Sequence, residues 1–179
     1  MYVYGLMGGF MKSRNIKMKI RSLRYDVEES FFSSLFDEAA NEVDLDVTDS
    51  THSFDEEDAI ELSTEGIMKI DENKVELVYE ESELTGMEGS TTSVYFELDN
   101  PGFVTIYRTG SVSTSLVFER GKRHHCAYNT PIMPFEICVR TMKVENNILT
   151  DGSLKLDYVI EIRGAKAERT KFELTVMDA

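Results

Sequence analysis

The sequence has no tryptophan, three prolines and two cysteines among its 179 residues. The lack of tryptophan argues against a sugar cleft lined by aromatic platforms, which a glycosidase needs. Basic residues are also scarce: 19 lysines and arginines face 33 aspartates and glutamates, and the net charge of −14 disfavours binding to a phosphate backbone. No apolar run approaches the roughly 20 residues of a membrane helix. We therefore expect binding neither to nucleic acid nor to a membrane.

The two cysteines, Cys126 and Cys138, occur in a chain without a recognisable export signal, which predicts reduced thiols and a cytoplasmic location. Residues 1–11 are apolar and contain glycine, but they lack a basic leader and a cleavage site of small residues. We expect them to form a loose N-terminal extension, with Met11 as an alternative start. A length of 179 residues fits one well-buried core, so a single domain over 1–179 is expected.

From residue 58 onward, apolar and polar residues alternate in short blocks separated by turn residues, the pattern of an antiparallel all-β fold. In the clearest block, Leu154, Leu156 and Tyr158 share one face and charged side chains take the other. Many strands with short turns would leave exposed edges unless the sheet closed, so the sequence predicts an up-and-down barrel of about eight to ten strands. The predicted strands lie near residues 13–24, 58–70, 74–83, 90–98, 102–110, 112–120, 122–129, 133–144, 153–163 and 169–177.

The interval 26–57 breaks the alternation. Phenylalanine, leucine and alanine side chains recur there at helical spacing, and Asp26 followed by Glu29 resembles a capping box. These features predict a short amphipathic helix over about 27–40. An acidic loop without any lysine or arginine follows it. The segment is predicted to be an insertion that either packs on the barrel or docks a partner.

A carboxylate-rich strand end precedes a two-glycine turn in the middle of the chain. Strand parity puts Tyr79, Glu81 and Glu83 on one face, and the apolar residues before them mark this face as the inner one. By the same parity, Arg108 enters the interior and can meet one of the glutamates. Arg140 is a second candidate, although both faces of its strand carry apolar residues. An inward Arg–Glu pair is either a structural ion pair that closes the barrel end or a polar site that orients a ligand.

Other candidate sites are weak. His124 and Cys126 share one strand face while His125 points to the other, and two ligands do not make a metal site. The turn containing Gly86 and Gly89 lacks the lysine of a phosphate loop and joins two strands instead of a strand and a helix. We therefore predict no catalytic residue, no cofactor and no metal, and we do not expect an enzyme.

Several spaced motifs resemble those of a known family. The run Tyr79–Thr92 is followed by Arg108–Gly110, Phe118–Lys122, Tyr128–Pro131 and Arg140-Thr141. In this order they resemble the YwiB-like family of bacterial proteins of unknown function, from about residue 58 to the end together with the first strand. The resemblance implies a lipocalin-like, or calycin-like, closed barrel with a central cavity, and it implies no activity or catalytic residue. The predicted helix and acidic loop depart from the family pattern, and an aromatic helix there could occupy or cap the opening.

From the sequence we expect non-enzymatic binding of a small, partly apolar ligand in the barrel cavity. The expected polar lining of its mouth is Tyr79, Glu81, Glu83, Arg108 and Arg140. The alternative is a ligand-free interaction module that docks a basic protein partner through the predicted helix or the acidic loop. A barrel of this size either holds one small ligand or is filled by its own side chains, so the volume of the interior distinguishes the two.

Overall fold

A computed structural model of the chain describes residues 12–26, 59–162 and 168–177. Within these residues ten strands form a closed barrel in which all paired neighbours are antiparallel. Consecutive strands lie side by side, and the last strand pairs with the first, so the predicted all-β, up-and-down barrel is confirmed. The strands are β1 (Lys12–Asp26), β2 (Ala59–Asp71), β3 (Lys74–Glu80), β4 (Ser90–Glu97), β5 (Asn100–Gly110), β6 (Ser113–Glu119), β7 (Arg123–Asn129), β8 (Pro134–Asn147), β9 (Ser153–Ile162) and β10 (Glu168–Met177).

Two predicted features lie outside the described residues: the N-terminal extension, 1–11, and the helix over 27–40 with the acidic loop after it. The predicted insertion starts one residue too early, because Asp26 still belongs to β1. Among the described residues there is one 3-10 helix, Glu83–Thr85, and no helix long and apolar enough to cross a membrane.

Alternation decides which side chains enter the barrel. In β1, Ile16, Met18 and Ile20 are almost completely buried, whereas the intervening Lys17 and Lys19 are exposed. Each fully buried aliphatic side chain contributes about 1.5–3 kcal/mol relative to an exposed one. Lys17, Lys19 and Arg21 therefore form the solvated face of an amphipathic strand.

The strand β8 reverses its inner face part-way along its length. Ile137 and Val139 face the core, the register against β9 shifts between Thr141 and Lys143, and Val144 packs against the core beyond the shift. A bulge adds one residue to one strand of a pair, so the inward parity changes from odd to even positions. This reversal explains why the sequence of β8 carries apolar residues on both faces.

The inward side chains differ between the two ends of the barrel. At the packed end, they are aliphatic or phenylalanine and have almost no exposure to solvent. At the open end, the inward positions of the same strands carry hydroxyl, phenol and charged groups. The packed end is defined by Val75, Leu77, Val104, Phe118 and Leu154. The open end is defined by Tyr79, Glu81, Arg108, Tyr128 and Tyr158.

Candidate functional site

A cavity of about 370 Å³ lies inside the barrel at the open end. Ile20, Leu62, Leu116 and Phe172 are among its apolar lining residues, and Arg108 is among its polar ones. The volume falls in the lower part of the roughly 300–1,000 Å³ range of small-molecule sites. Among the described residues, the barrel interior is therefore filled at one end and contains a cavity at the other.

Strand register brings polar inward side chains to one level of the barrel. Tyr79 is paired with Thr92, and Thr92 with Arg108 on the next strand. Arg108 is in turn paired with Thr114, and Thr114 with Tyr128. Because directly paired residues point to the same side of a sheet, these five side chains form a polar belt inside the barrel, and Tyr79, Arg108 and Tyr128 of this belt line the cavity.

Arg108 and Glu81 form an ion pair inside the open end. Arg108 Nε lies 3.4 Å from Glu81 Oε1, and their side chains are only 13% and 2% exposed. The hydroxyl of Thr92 donates a hydrogen bond of 2.6 Å to the same carboxylate oxygen. Burial alone would lower the pKa of Arg108, but electrostatic interaction with Tyr79 and Glu81 raises it on balance, so the guanidinium stays charged.

The backbone holds Glu81 in its inward position. The N–H of Glu81 donates to the carbonyl of Ser90 at 2.8 Å, which extends the pairing of β3 with β4 by one residue. The chain then leaves the sheet, and the 3-10 helix ends at Gly86, whose φ of 70° is in the left-handed region that glycine favours. Glu81 is therefore the last residue of this segment that strand geometry directs into the barrel.

Tyrosines surround the ion pair. Burial raises the pKa of Tyr79 and of Tyr158, so both remain neutral phenols at physiological pH. Tyr158 packs against Phe118 with ring centroids 4.8 Å apart, which joins the open end to the packed end. The hydroxyl of Tyr128 lies 3.9 Å from the sulfur of Met87, a buried residue of the β3–β4 loop.

Two loops at the rim of the cavity are bonded to each other. The buried hydroxyl of Ser90 accepts a hydrogen bond of 2.9 Å from the N–H of Val112 and lies 2.9 Å from the hydroxyl of Ser111. Gly110 has a φ of 125°, and a Cβ atom there would lie 2.2 Å from the carbonyl oxygen of Gly89. Only glycine allows this approach, so the β3–β4 loop and the β5–β6 turn are held together.

The sequence matches, over residues 45–174, a protein family described as a domain of unknown function, DUF1934. The chain belongs to this family. Among solved structures, the crystal structure of the ywiB protein from Bacillus subtilis is similar, with 17% sequence identity and a TM-score of 0.59, over 92% of this chain and 94% of that chain. The predicted resemblance to the YwiB-like family is thus confirmed, and the structural similarity shows the fold alone. Comparison with curated proteins gives no match.

The structure brings together three of the predicted mouth residues of this DUF1934 protein. Tyr79, Glu81 and Arg108 line the cavity, and the predicted contact between Arg108 and Glu81 is confirmed. The prediction that Glu83 points into the barrel is wrong. The strand ends at Glu80, and Glu83 begins the 3-10 helix with an exposed side chain. The turn removes Glu83 from the alternation that the prediction assumed.

Arg140 also lies away from the cavity, so its predicted position is wrong. Ile137 and Val139 face the core, which puts Arg140 on the outward face together with Cys138. Its paired residue on β9 is Val159. The odd inward parity holds only up to the bulge in β8, and the sequence does not show where that bulge lies.

Sequence reasoning missed several members of the site. Thr92 and Thr170 are buried inward-facing hydroxyls, and Tyr128 and Tyr158 reach the cavity from β7 and β9. A signal for them was present, because an inward hydroxyl follows the aliphatic residues in several strands, as Tyr158 follows Leu156. Recognising it requires the strands to be aligned by register, which only the structure supplies.

The histidine–cysteine run of β7 does not form a metal centre with the residues described. His124 lies 3.5 Å from Glu119 and contacts the ring of Phe103, whereas His125 is exposed beside Glu136. Cys126 packs partly against the core. No group of three or more histidine, cysteine, aspartate or glutamate side chains in the described ranges is placed to hold a metal ion.

Proposed function

We propose that this protein binds a small, partly apolar ligand in the cavity of the open end, without catalysing a reaction. The observation that supports the proposal is that the inward side chains change from apolar to polar at one level of the barrel. Protein interiors are close-packed, and a barrel that served only as a scaffold would continue its aliphatic filling to the end. Here the filling stops at a polar belt that borders a cavity of about 370 Å³.

The polar belt is costly to maintain, which is a second support for a binding role. A buried ion pair is often no more stabilising than apolar residues of the same volume. Leucine or methionine at the positions of Arg108 and Glu81 would therefore stabilise the barrel about as well as the ion pair does. A role in contacting a ligand gives these polar residues a purpose in the interior.

The same proposal includes a calycin-like barrel class and a cytoplasmic location. The closed meander, with its cavity at one end, supports the first. The second is supported by Cys126 and Cys138, which are both free thiols and lie on opposite faces of the sheet. Thiols in this arrangement suit a reducing compartment.

Native mass spectrometry of protein purified from its own host tests the proposal. We expect a mass larger than that of the chain alone by a small molecule, which is released on denaturation. A variant with Leu116→Trp, which fills the cavity from its wall, should lose the added mass while retaining its folded charge-state distribution. An unmodified mass in repeated preparations from several growth conditions would contradict the proposal.

The alternative proposal is a ligand-free interaction module that docks a basic protein partner through the predicted helix or acidic loop. Its support is the composition of the interval 26–57, which lies almost entirely outside the described residues. Affinity purification of the full chain distinguishes the two proposals. A basic partner that is recovered with the full chain, together with a mass free of any ligand, would favour the alternative.

A further inference from the structure

Among the described residues, Nε of the buried Arg108 side chain has no hydrogen-bond partner. A guanidinium carries five N–H donors and no acceptor. Although Nε lies within ion-pair distance of Glu81, its hydrogen does not point at the carboxylate, and this buried atom has no hydrogen-bond partner. The Nε–H donor therefore faces the interior without an acceptor from the described residues. Such a side chain is costly unless an acceptor reaches it.

The hydroxyl groups of the polar belt donate to other acceptors. Thr92 donates to Glu81 at 2.6 Å, and Thr114 donates to the carbonyl of Ala127 at 2.9 Å. The hydroxyl of Thr92 therefore holds the carboxylate of Glu81, and the Nε–H donor of Arg108 remains available. Since Arg108 lines the cavity, a ligand there can accept hydrogen bonds that the protein does not.

The cavity also has an apolar side. Ile20, Leu62, Leu116 and Phe172 line it together with Arg108, so a bound molecule meets hydrocarbon and a cation in the same space. A carboxylate matches the planar fork of a guanidinium with two oxygens, whereas an alcohol offers one and an ammonium group is repelled. We propose that the ligand is a monocarboxylate with an apolar body, and that Arg108 binds its carboxylate. This inference rests on the proposed ligand-binding function.

Glu81 is the counter-ion of Arg108 when the cavity is empty, and it sets the affinity of the site for an anion. Its carboxylate is 2% exposed and lies beside the guanidinium, so an incoming carboxylate shares Arg108 with it. The like charge of Glu81 weakens the binding of an anion, and it keeps the empty site from holding an unpaired charge. The net charge of −14 adds a long-range repulsion, but salt screens it beyond roughly 8 Å at physiological ionic strength. Arg24 and Glu168 also line the cavity as an ion pair 3.6 Å apart, but their side chains are about 40% exposed, so the buried Arg108–Glu81 pair is expected to dominate the affinity for an anion.

The test compares decanoate with decanol by isothermal titration calorimetry of the full chain. The two molecules share an apolar chain and differ in the head group. For Arg108→Gln, we expect the affinity for decanoate to fall at least about tenfold and the affinity for decanol to change by less than about twofold. For Glu81→Gln, which keeps the shape and removes the charge, the affinity for decanoate should rise several-fold. The matched control is Arg21→Gln on the exposed face of β1, which should change neither affinity.

The outcomes separate the two proposals. The carboxylate inference would be overturned if decanol bound tightly, decanoate bound no more tightly than decanol, and Arg108→Gln did not change the affinity for decanoate. The proposed ligand-binding function would still hold in that case. If neither probe binds, the molecule recovered with the native protein decides: an acidic molecule supports the inference, and a neutral or cationic one overturns it. If no molecule is recovered either, both proposals fail. Circular dichroism checks that each variant is folded. If Arg108→Gln does not fold, the Glu81→Gln variant decides, and an unchanged affinity for decanoate in that variant would contradict the inference.

Discussion

The packed end and the open end of this barrel are built from the same strands but from different side chains. In β3, Val75 and Leu77 have no exposed surface, whereas Tyr79 and Glu81, further along the same face, border a cavity. One end maximises contact between hydrocarbon side chains. The open end has fewer such contacts and carries polar groups instead, and the hydrogen-bonding capacity of these groups is only partly used by the described residues.

The two ends contribute unequally to the stability of the barrel. Burial of aliphatic side chains at the packed end supplies the hydrophobic free energy that holds the fold. The open end can therefore keep Arg108 and Glu81 in its interior, because two apolar residues in place of the whole pair would stabilise the barrel about as well. Functional polar groups are expected at positions where packing is incomplete.

The largest expected effect lies at the packed end. Leu77→Ala should lower the free energy of unfolding by about 3–5 kcal/mol, because a fully buried leucine leaves a cavity that its neighbours cannot fill. The matched change at the open end is Leu62→Ala, which we expect to cost about half as much, since Leu62 is half-buried beside an existing cavity. Urea unfolding measures both. Equal costs would remove the distinction between the two ends.

The next effect concerns the buried ion pair. Glu81→Leu leaves Arg108 without its counter-ion, and we expect it to lower the free energy of unfolding by about 3 kcal/mol. In the double variant Glu81→Leu with Arg108→Leu, neither charge remains, and stability should return to within about 1 kcal/mol of the native protein. A double variant as unstable as the single one would mean that the pair is a structural requirement of the open end.

A smaller effect is expected at the rim. Gly110→Ala should cost about 2 kcal/mol, because the residue has a φ of 125° and a Cβ atom would meet the backbone of Gly89. The control is Gly102→Ala, where no atom lies within 4 Å of the added Cβ, and which we expect to change stability by less than about 0.5 kcal/mol. Thermal unfolding compares the two. If Gly110→Ala were neutral, the contact between the rim loops would not be rigid.

The smallest effect appears only at alkaline pH. Burial raises the pKa of Tyr79 and of Tyr158, so their neutral forms stabilise the folded state below about pH 10, and this contribution is lost as pH rises through the folded-state pKa. In an absorbance titration of phenolate, these two of the eight tyrosines should ionise only when the barrel unfolds. Tyr158→Phe should reduce the protected number by one. Simultaneous ionisation of all tyrosines near pH 10 would contradict the burial of Tyr79 and Tyr158.

Strand parity predicted the site where the strands are regular. Glu81 and Arg108 follow buried aliphatic residues of the same strand at every second position without interruption. The sequence therefore predicts that both side chains point into the barrel. Glu83 and Arg140 failed because each lies close to a departure from that alternation, a 3-10 helix in one case and a bulge in the other. Both departures depend on how neighbouring strands pair, and the local sequence does not encode that.

The belt itself could not be predicted from single strands. Thr92, Thr114 and Tyr128 are unremarkable within their own segments, and they become neighbours of Arg108 through the register of four successive strands. The sequence predicted the ten strands in their order along the chain, and it predicted their boundaries to within a few residues. It did not predict which positions of different strands share a level, because register is set by all the pairings together.

The most direct test of the two-ended interior is a backbone-amide NMR titration of the full chain with decanol and with decanoate. We predict chemical-shift changes for both probes at Thr92 and Thr114 of the polar belt and at Thr170, which lines the cavity. The amides of Val75, Val104 and Leu154 at the packed end should remain unchanged. Shifts confined to the outer face of the barrel, or an interior that does not respond to either probe, would contradict the claim that the open end is a binding site.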